Sequence, residues 1–181
     1  MLNQSSLQSL ERKMLLDTPS YKKLFKPMII LSNSIKVEFF EGPKLVKDNL
    51  QKIEKSLDLF FKEFNLSKID VEVGFAKKSE MKNINFEFRN KNKVTNVLSF
   101  PEKEHRSKTN KCIGEVIFCM PVLQEESVKY EKKNFDHFQH LFFHSLLHLI
   151  GYMHDKESDA ILMEQKEIKF LSKIGISNPY S

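Results

Sequence analysis

The sequence predicts an α+β domain, a small four-stranded mixed sheet packed with helices, in which one helix and the turn after it carry a three-histidine metal site. Three observations predict it. Segments of alternating apolar and polar residues are interleaved with segments whose apolar residues recur every three or four positions. These are the signatures of half-buried strands and amphipathic helices. The last two elements both read as helices, which suits packing around a small sheet. Finally, His144 and His148 stand four apart, with His154 three residues beyond Gly151.

In chain order, residues 1–34 are the least regular. Leu7, Leu10, Met14 and Leu15 recur at helical spacing, and Asp17-Thr18-Pro19 reads as a cap before another short helix. Ile35, Val37 and Phe39 alternate with Ser34, Lys36 and Glu38, a first strand. Gly42-Pro43 opens a long helix whose apolar stripe is Val46, Leu50, Ile53, Leu57, Phe60, Phe61 and Phe64. Residues 69–75 alternate again as a second strand, and a helix from about Ser79 delivers Asn85 and Arg89 near its end. Residues 95–101 form a third strand stopped by Pro101, residues 102–112 a charged loop, and Ile113 to Phe118 a fourth strand. Helical sequence resumes at Pro121, breaks near Lys133-Asn134, and continues through His140, His144 and His148. A last helix holds Ile161, Leu162, Ile168 and Leu171 and stops near Lys173-Ile174-Gly175.

A chain of 181 residues suits a single domain over residues 35–181 with residues 1–34 as an N-terminal extension. Sixteen Phe and no Trp make the core aromatic-rich. No apolar run approaches the roughly 20 residues of a membrane span, and no secretory leader is visible, so a cytoplasmic protein is expected. Cys112 and Cys119 make no disulfide framework. The net charge of +5 is uneven: residues 76–93 hold six Lys/Arg (Lys77, Lys78, Lys82, Arg89, Lys91, Lys93) against Glu80 and Glu87. Such a stretch is either a solvated face or the footprint of a nucleic-acid partner.

Half of the six histidines lie in the run from Phe142 to His154. A lone histidine on an apolar helix is ordinarily a core residue. Two at i, i+4 share one helix face, and a third after a helix-ending glycine can swing back toward them. Three imidazoles with no fourth protein ligand suit a catalytic zinc, one per chain, which lowers the pKa of its remaining water to near neutrality. The skeleton H-x-x-x-H-x-x-G-x-x-H is zincin-like and fits the metzincin proteases. Those enzymes place a glutamate base after the first histidine, where this chain has Ser145, which cannot ionise.

Taken together, these blocks resemble the YbeY family of bacterial endoribonucleases. That family's H-G-x-L-H-L-x-G-Y-D-H is matched by His144-Ser-Leu-Leu-His148-Leu-Ile-Gly151-Tyr152-Met153-His154. Its arginine followed by T-D-V-L-S-F-P is matched by Arg89 and Thr95-Asn96-Val97-Leu98-Ser99-Phe100-Pro101, and its glycine-acid pair by Gly114-Glu115. The likeness covers roughly residues 35 to 175. It implies a zinc-dependent endoribonuclease for single-stranded RNA, acting on ribosomal RNA in small-subunit 3′-end maturation and ribosome quality control. It further implies His144, His148 and His154 as zinc ligands and Arg89 as the functional arginine. A guanidinium suits this role because it forks onto two phosphate oxygens.

Three departures from the family pattern stand out: Asn96 for Asp, Ser145 for Gly and Met153 for Asp. Asp155 is a nearby carboxylate that could replace the last, and His140, one turn before His144, is a candidate general acid. Met153 and Ser145 motivate a second reading, an RNA-binding ribosome-assembly factor that cleaves little. A metalloprotease, resting on the histidine skeleton alone, is a third.

Overall fold

The structure, a computed structural model, describes residues 27–32, 34–102 and 108–181. The helices expected before residue 27 and residues 103–107 of the charged loop lie outside these residues. Among the described residues, five strands form one mixed sheet: β1 (Met28–Ser32), β2 (Ile35–Phe39), β3 (Lys68–Phe75), β4 (Val97–Pro101) and β5 (Lys111–Phe118). Their spatial order is β1-β2-β3-β5-β4. The two inner pairings, β2 with β3 and β3 with β5, are parallel, whereas the outer pairs are antiparallel.

The expectation of four strands is thus corrected to five. The added strand, β1, pairs Ile30 with Val37 at the edge of the sheet. Its sequence Met28-Ile29-Ile30-Leu31 does not alternate, because only Ile30 is buried while Ile29 and Leu31 are exposed. An edge strand with one buried residue leaves no period-2 trace. Pro101 closes β4 at the opposite edge, where a missing N–H breaks no ladder.

Among the described residues, six helices accompany the sheet: α1 (Lys44–Lys47), α2 (Leu50–Glu63), α3 (Lys78–Arg89), α4 (Met120–Lys129), α5 (Asn134–Leu149) and α6 (Glu157–Lys173). The single helix expected after Pro43 is divided at Asp48-Asn49. Asn49 donates its side-chain amide to the carbonyl of Leu45 at 2.9 Å, a local bond that competes with continuation of the helix. The apolar stripe nevertheless continues across the break, with Val46, Ile53, Leu57 and Phe60 all fully buried.

Alternation along the strands divides the interior into two cores. Val116 and Phe118 pack with α2, α5 and α6, while Ile117 between them joins Met81 of α3, Leu98 and Phe100. The larger core is built around α5, whose buried residues occupy nearly its whole circumference. Phe142 and Phe143 carry it, with ring centroids 6.0 Å from Phe39 and 5.3 Å from Phe60 respectively. Phe39, Phe60, Phe118, Phe138 and Phe170 join them in this core and help to hold the histidine helix. Cys112 and Cys119 are free and buried.

β5 meets α5 at Gly114. A Cβ there would lie 2.3 Å from the Phe100 carbonyl oxygen and 2.9 Å from Cδ2 of Leu149. Neither the strand nor the last turn of α5 can yield easily. Gly114→Ala is expected to cost about 2 kcal/mol by overpacking, lowering Tm by roughly 4–8 °C in calorimetry. A Tm within one degree of wild type would show that this approach is looser than described.

Candidate metal centre

The centre begins where α5 stops. Gly151 has φ 93°, a left-handed conformation that favours glycine. Its N–H donates to the His148 carbonyl at 3.0 Å, and the Tyr152 N–H reaches back to the Leu147 carbonyl at 3.0 Å. This bond pair is a Schellman cap, and it reverses the chain immediately after the second histidine. His154 is thereby returned toward α5. One nitrogen from each of His144, His148 and His154 then lies within 4.8 Å of the others.

Partners of the outer ring nitrogens orient the inner ones. Nδ1 of His148 lies 2.9 Å from the Tyr152 carbonyl oxygen, which can only accept, so Nδ1 carries the proton. Nδ1 of His144 lies 3.1 Å from Oε1 of Glu167, a buried carboxylate on α6. Each ring is left with a bare Nε2, and the two Nε2 atoms are 3.1 Å apart. Two lone pairs that close repel unless a cation lies between them. A tetrahedral zinc with bonds of about 2.0–2.1 Å would hold its nitrogens roughly 3.3 Å apart. The donor set therefore fits zinc. Burial and the neighbouring His144 hold the His148 pKa down to about 4, so this ring is neutral near pH 7, the state a ligand needs.

Glu167 anchors this arrangement and was not singled out in the sequence. Burial alone would raise its pKa, but hydrogen bonds from His140 and His144, with a further one from Tyr180, lower it to about 2. Oε1 also lies 3.3 Å from Nε2 of His140, and Oε2 accepts the Tyr180 hydroxyl at 2.5 Å. A carboxylate on the outer nitrogen of a ligand histidine fixes its tautomer and raises its basicity. One sequence signal could have found it. Met163, Glu167, Phe170 and Leu171 form the buried stripe of α6, so this glutamate sits on the apolar face of its helix.

A family model described as Endoribonuclease YbeY matches residues 38–175. The chain belongs to the YbeY endoribonuclease family. An Endoribonuclease YbeY of Alteromonas mediterranea is 35% identical over 144 residues, covering 78% of this chain and 91% of that protein. One of Francisella tularensis subsp. tularensis is 37% identical over 130 residues, covering 70% and 80%. The solution structure of TM1509 from Thermotoga maritima superposes with a TM-score of 0.54 at 24% identity. It covers 77% of this chain and 88% of that one, a likeness of fold.

Against the YbeY pattern, the three departures have distinct local settings. Ser145 is fully buried and donates its hydroxyl to the Leu141 carbonyl at 2.8 Å, so the added side chain is absorbed within α5. It is neither a base nor a ligand. Asn96 acts as a donor: Nδ2 lies 3.2 and 2.9 Å from the two oxygens of Glu126, which also meets Nε2 of His137 at 2.8 Å. The family's Asp at this position would set one carboxylate against another. Met153 is 44% exposed, and Asp155 is exposed and makes no hydrogen bond to the three histidines among the described residues.

Arg89 closes α3 and is exposed, with Nη2 donating to the Ser99 carbonyl at 2.9 Å and the guanidinium 5.8 Å from the Phe100 ring centroid. It is tied to β4, the strand that packs on the histidine helix. Asn85, delivered by the same helix, is buried and donates to the Lys93 carbonyl at 2.7 Å, closing the turn that follows Arg89. Lys108 lies over the Tyr152 ring, 4.6 Å from its centroid, bringing a further cation to the helix-ending turn. His140 is buried and faces Glu167, and its Nδ1 is without a hydrogen-bond partner among the described residues. No helix among the described residues is long and apolar enough to cross a membrane.

Proposed function

We propose that this chain is a zinc-dependent endoribonuclease that cleaves single-stranded RNA in the cytoplasm. On this reading its substrate is ribosomal RNA and its partner the ribosomal small subunit, where it acts in 3′-end maturation and quality control. The observation that carries the reading is the pair of bare Nε2 atoms 3.1 Å apart, each oriented by a partner on its outer nitrogen. Membership of a family whose curated relatives are named endoribonucleases supplies the reaction class.

His144, His148 and His154 would hold the metal, which when bound supplies a Lewis acid and an activated water at neutral pH. Glu167 and the Tyr152 carbonyl hold two of the three rings in the ligating tautomer. Arg89 carries a fixed positive charge on a short tether to β4, suited to clamping the scissile phosphate as negative charge grows on it. The lysines of residues 77–93, with Lys108 beside the turn, favour the approach of a polyanion.

The test is cleavage of a fluorescently labelled single-stranded RNA by protein purified without a metal-affinity tag, alongside elemental analysis. One zinc per chain is expected, with cleavage abolished by chelator and restored by zinc. Cleavage that survives both chelation and loss of His148 would belong to a contaminating nuclease.

A second reading, an assembly factor that binds RNA and zinc but cleaves little, is favoured by one observation, the exposed thioether of Met153 where the family has a carboxylate. Met153→Asp separates the two. Because Glu167 and the Tyr152 carbonyl already orient the ligands, the substitution is expected to leave the cleavage rate within about threefold, short of the 10- to 100-fold worth of an orienting partner. A gain of the latter size would favour the assembly factor.

A further inference from the structure

The chain continues past the family match at residue 175 and returns to the metal centre. Gly175, with φ 78°, closes α6 in a second Schellman cap, its N–H on the Ser172 carbonyl and the Ile176 N–H on that of Leu171. Ile176 is buried, and the Pro179 carbonyl accepts a hydrogen bond from Nζ of Lys132 at 2.7 Å. Oδ1 of Asn178 accepts the Tyr180 N–H at 3.0 Å, shaping the last turn. These contacts lay the tail against the loop between α4 and α5 and bring the Tyr180 ring edge-on to His140, with centroids 5.8 Å apart. Tyr180 as a residue is 46% exposed, yet its hydroxyl reaches Oε2 of Glu167, which is only 1% exposed.

We propose that Tyr180 is a positioning residue of the metal centre, with residues 176–181 acting as a clasp that completes the hydrogen bonding of Glu167 and so holds His144 in its ligating orientation. The inference rests on the three-histidine metal reading and extends it beyond the residues matched by the family. Its logic is a relay of three groups. The Tyr180 hydroxyl donates to Oε2, Oε1 accepts from Nδ1 of His144, and Nε2 of His144 faces the metal position. Removing the hydroxyl leaves a buried carboxylate oxygen without its donor, and the carboxylate must turn toward water or another donor to recover one. Either movement disturbs its hold on His144.

The test compares wild type with Tyr180→Phe, with Lys132→Met and with a chain ending at Ile176. Zinc affinity is measured by competition with a chromophoric chelator, and the visible d–d bands are recorded after cobalt substitution. Tyr180→Phe is expected to weaken zinc binding about 10-fold, within the range for partners of a ligand histidine. It should alter the cobalt spectrum while the metal-free protein keeps its folded circular dichroism spectrum. Lys132→Met, which removes the bond to the Pro179 carbonyl and touches none of the three ligand histidines, should weaken zinc in the same direction with Tyr180 intact, and the shortened chain at least as much as Tyr180→Phe. Stoichiometric zinc in wild type with an unchanged Kd and cobalt spectrum in Tyr180→Phe would overturn the clasp but leave the metal site standing. Failure of wild type to bind zinc would overturn both.

Discussion

Replacing His148 with alanine is expected to empty the centre of metal and reduce RNA cleavage to background. Of the three histidines, His148 has the most completely specified surroundings. Its Nδ1 proton is committed to the Tyr152 carbonyl, burial keeps the ring neutral, and Nε2 faces that of His144 at 3.1 Å. With two imidazoles left, one of them on the exposed His154, the site loses the convergence that holds a cation. The loss of activity should exceed the roughly 10- to 100-fold typical of outer partners of a ligand. Zinc per chain, read by elemental analysis, should fall from one to near zero. The fold should survive, since alanine is the best helix former and His148 sits on the half-buried face of α5. An unchanged circular dichroism spectrum would check this. Stoichiometric zinc in His148→Ala would remove this residue from the ligand set.

Arg89→Ala is expected to lower kcat by about 100- to 1000-fold, the usual loss when one donor aimed at developing charge is removed. Zinc content should stay at one per chain, because the metal would be held by the three histidines, whereas the Arg89 guanidinium bonds the Ser99 carbonyl and lies beside the Phe100 ring. That contrast separates it from His148→Ala. Arg89→Lys should recover only part of the rate, since an ammonium cannot fork onto two phosphate oxygens. A KM effect with kcat intact would instead make Arg89 a binding residue that acts equally on ground and transition states. Full activity in Arg89→Ala would remove it from the machinery.

Much of this site could be read along the chain because its parts are close in sequence. His144 and His148 are one helical turn apart, Gly151 ends the helix, and His154 follows within three residues. The departures at 96, 145 and 153 were equally visible, but their meaning was not. Along the chain Ser145 shows only that it cannot ionise and Asn96 only that it replaces Asp, whereas the fold bonds the Ser145 hydroxyl to the Leu141 carbonyl and aims the Asn96 amide at Glu126. The break at Asp48-Asn49 escaped the periodicity because the apolar stripe runs through it.

By itself, then, the sequence determined the identity and spacing of the three histidines, the helix and turn that bring them together, and the α+β class. Those features depend on neighbours within about three helical turns, which local periodicity records. Only the tertiary structure decided that β1 adds a fifth strand, that Gly114 lets α5 lie close on the sheet, and that Glu167 and Tyr180 stand behind His144. Glu167 lies 23 residues from His144, and although its place on the apolar face of α6 signals burial, nothing along the chain names its partner. Its role arises when α6 packs across α5 and buries this carboxylate against a histidine, a pairing that no spacing along the chain encodes.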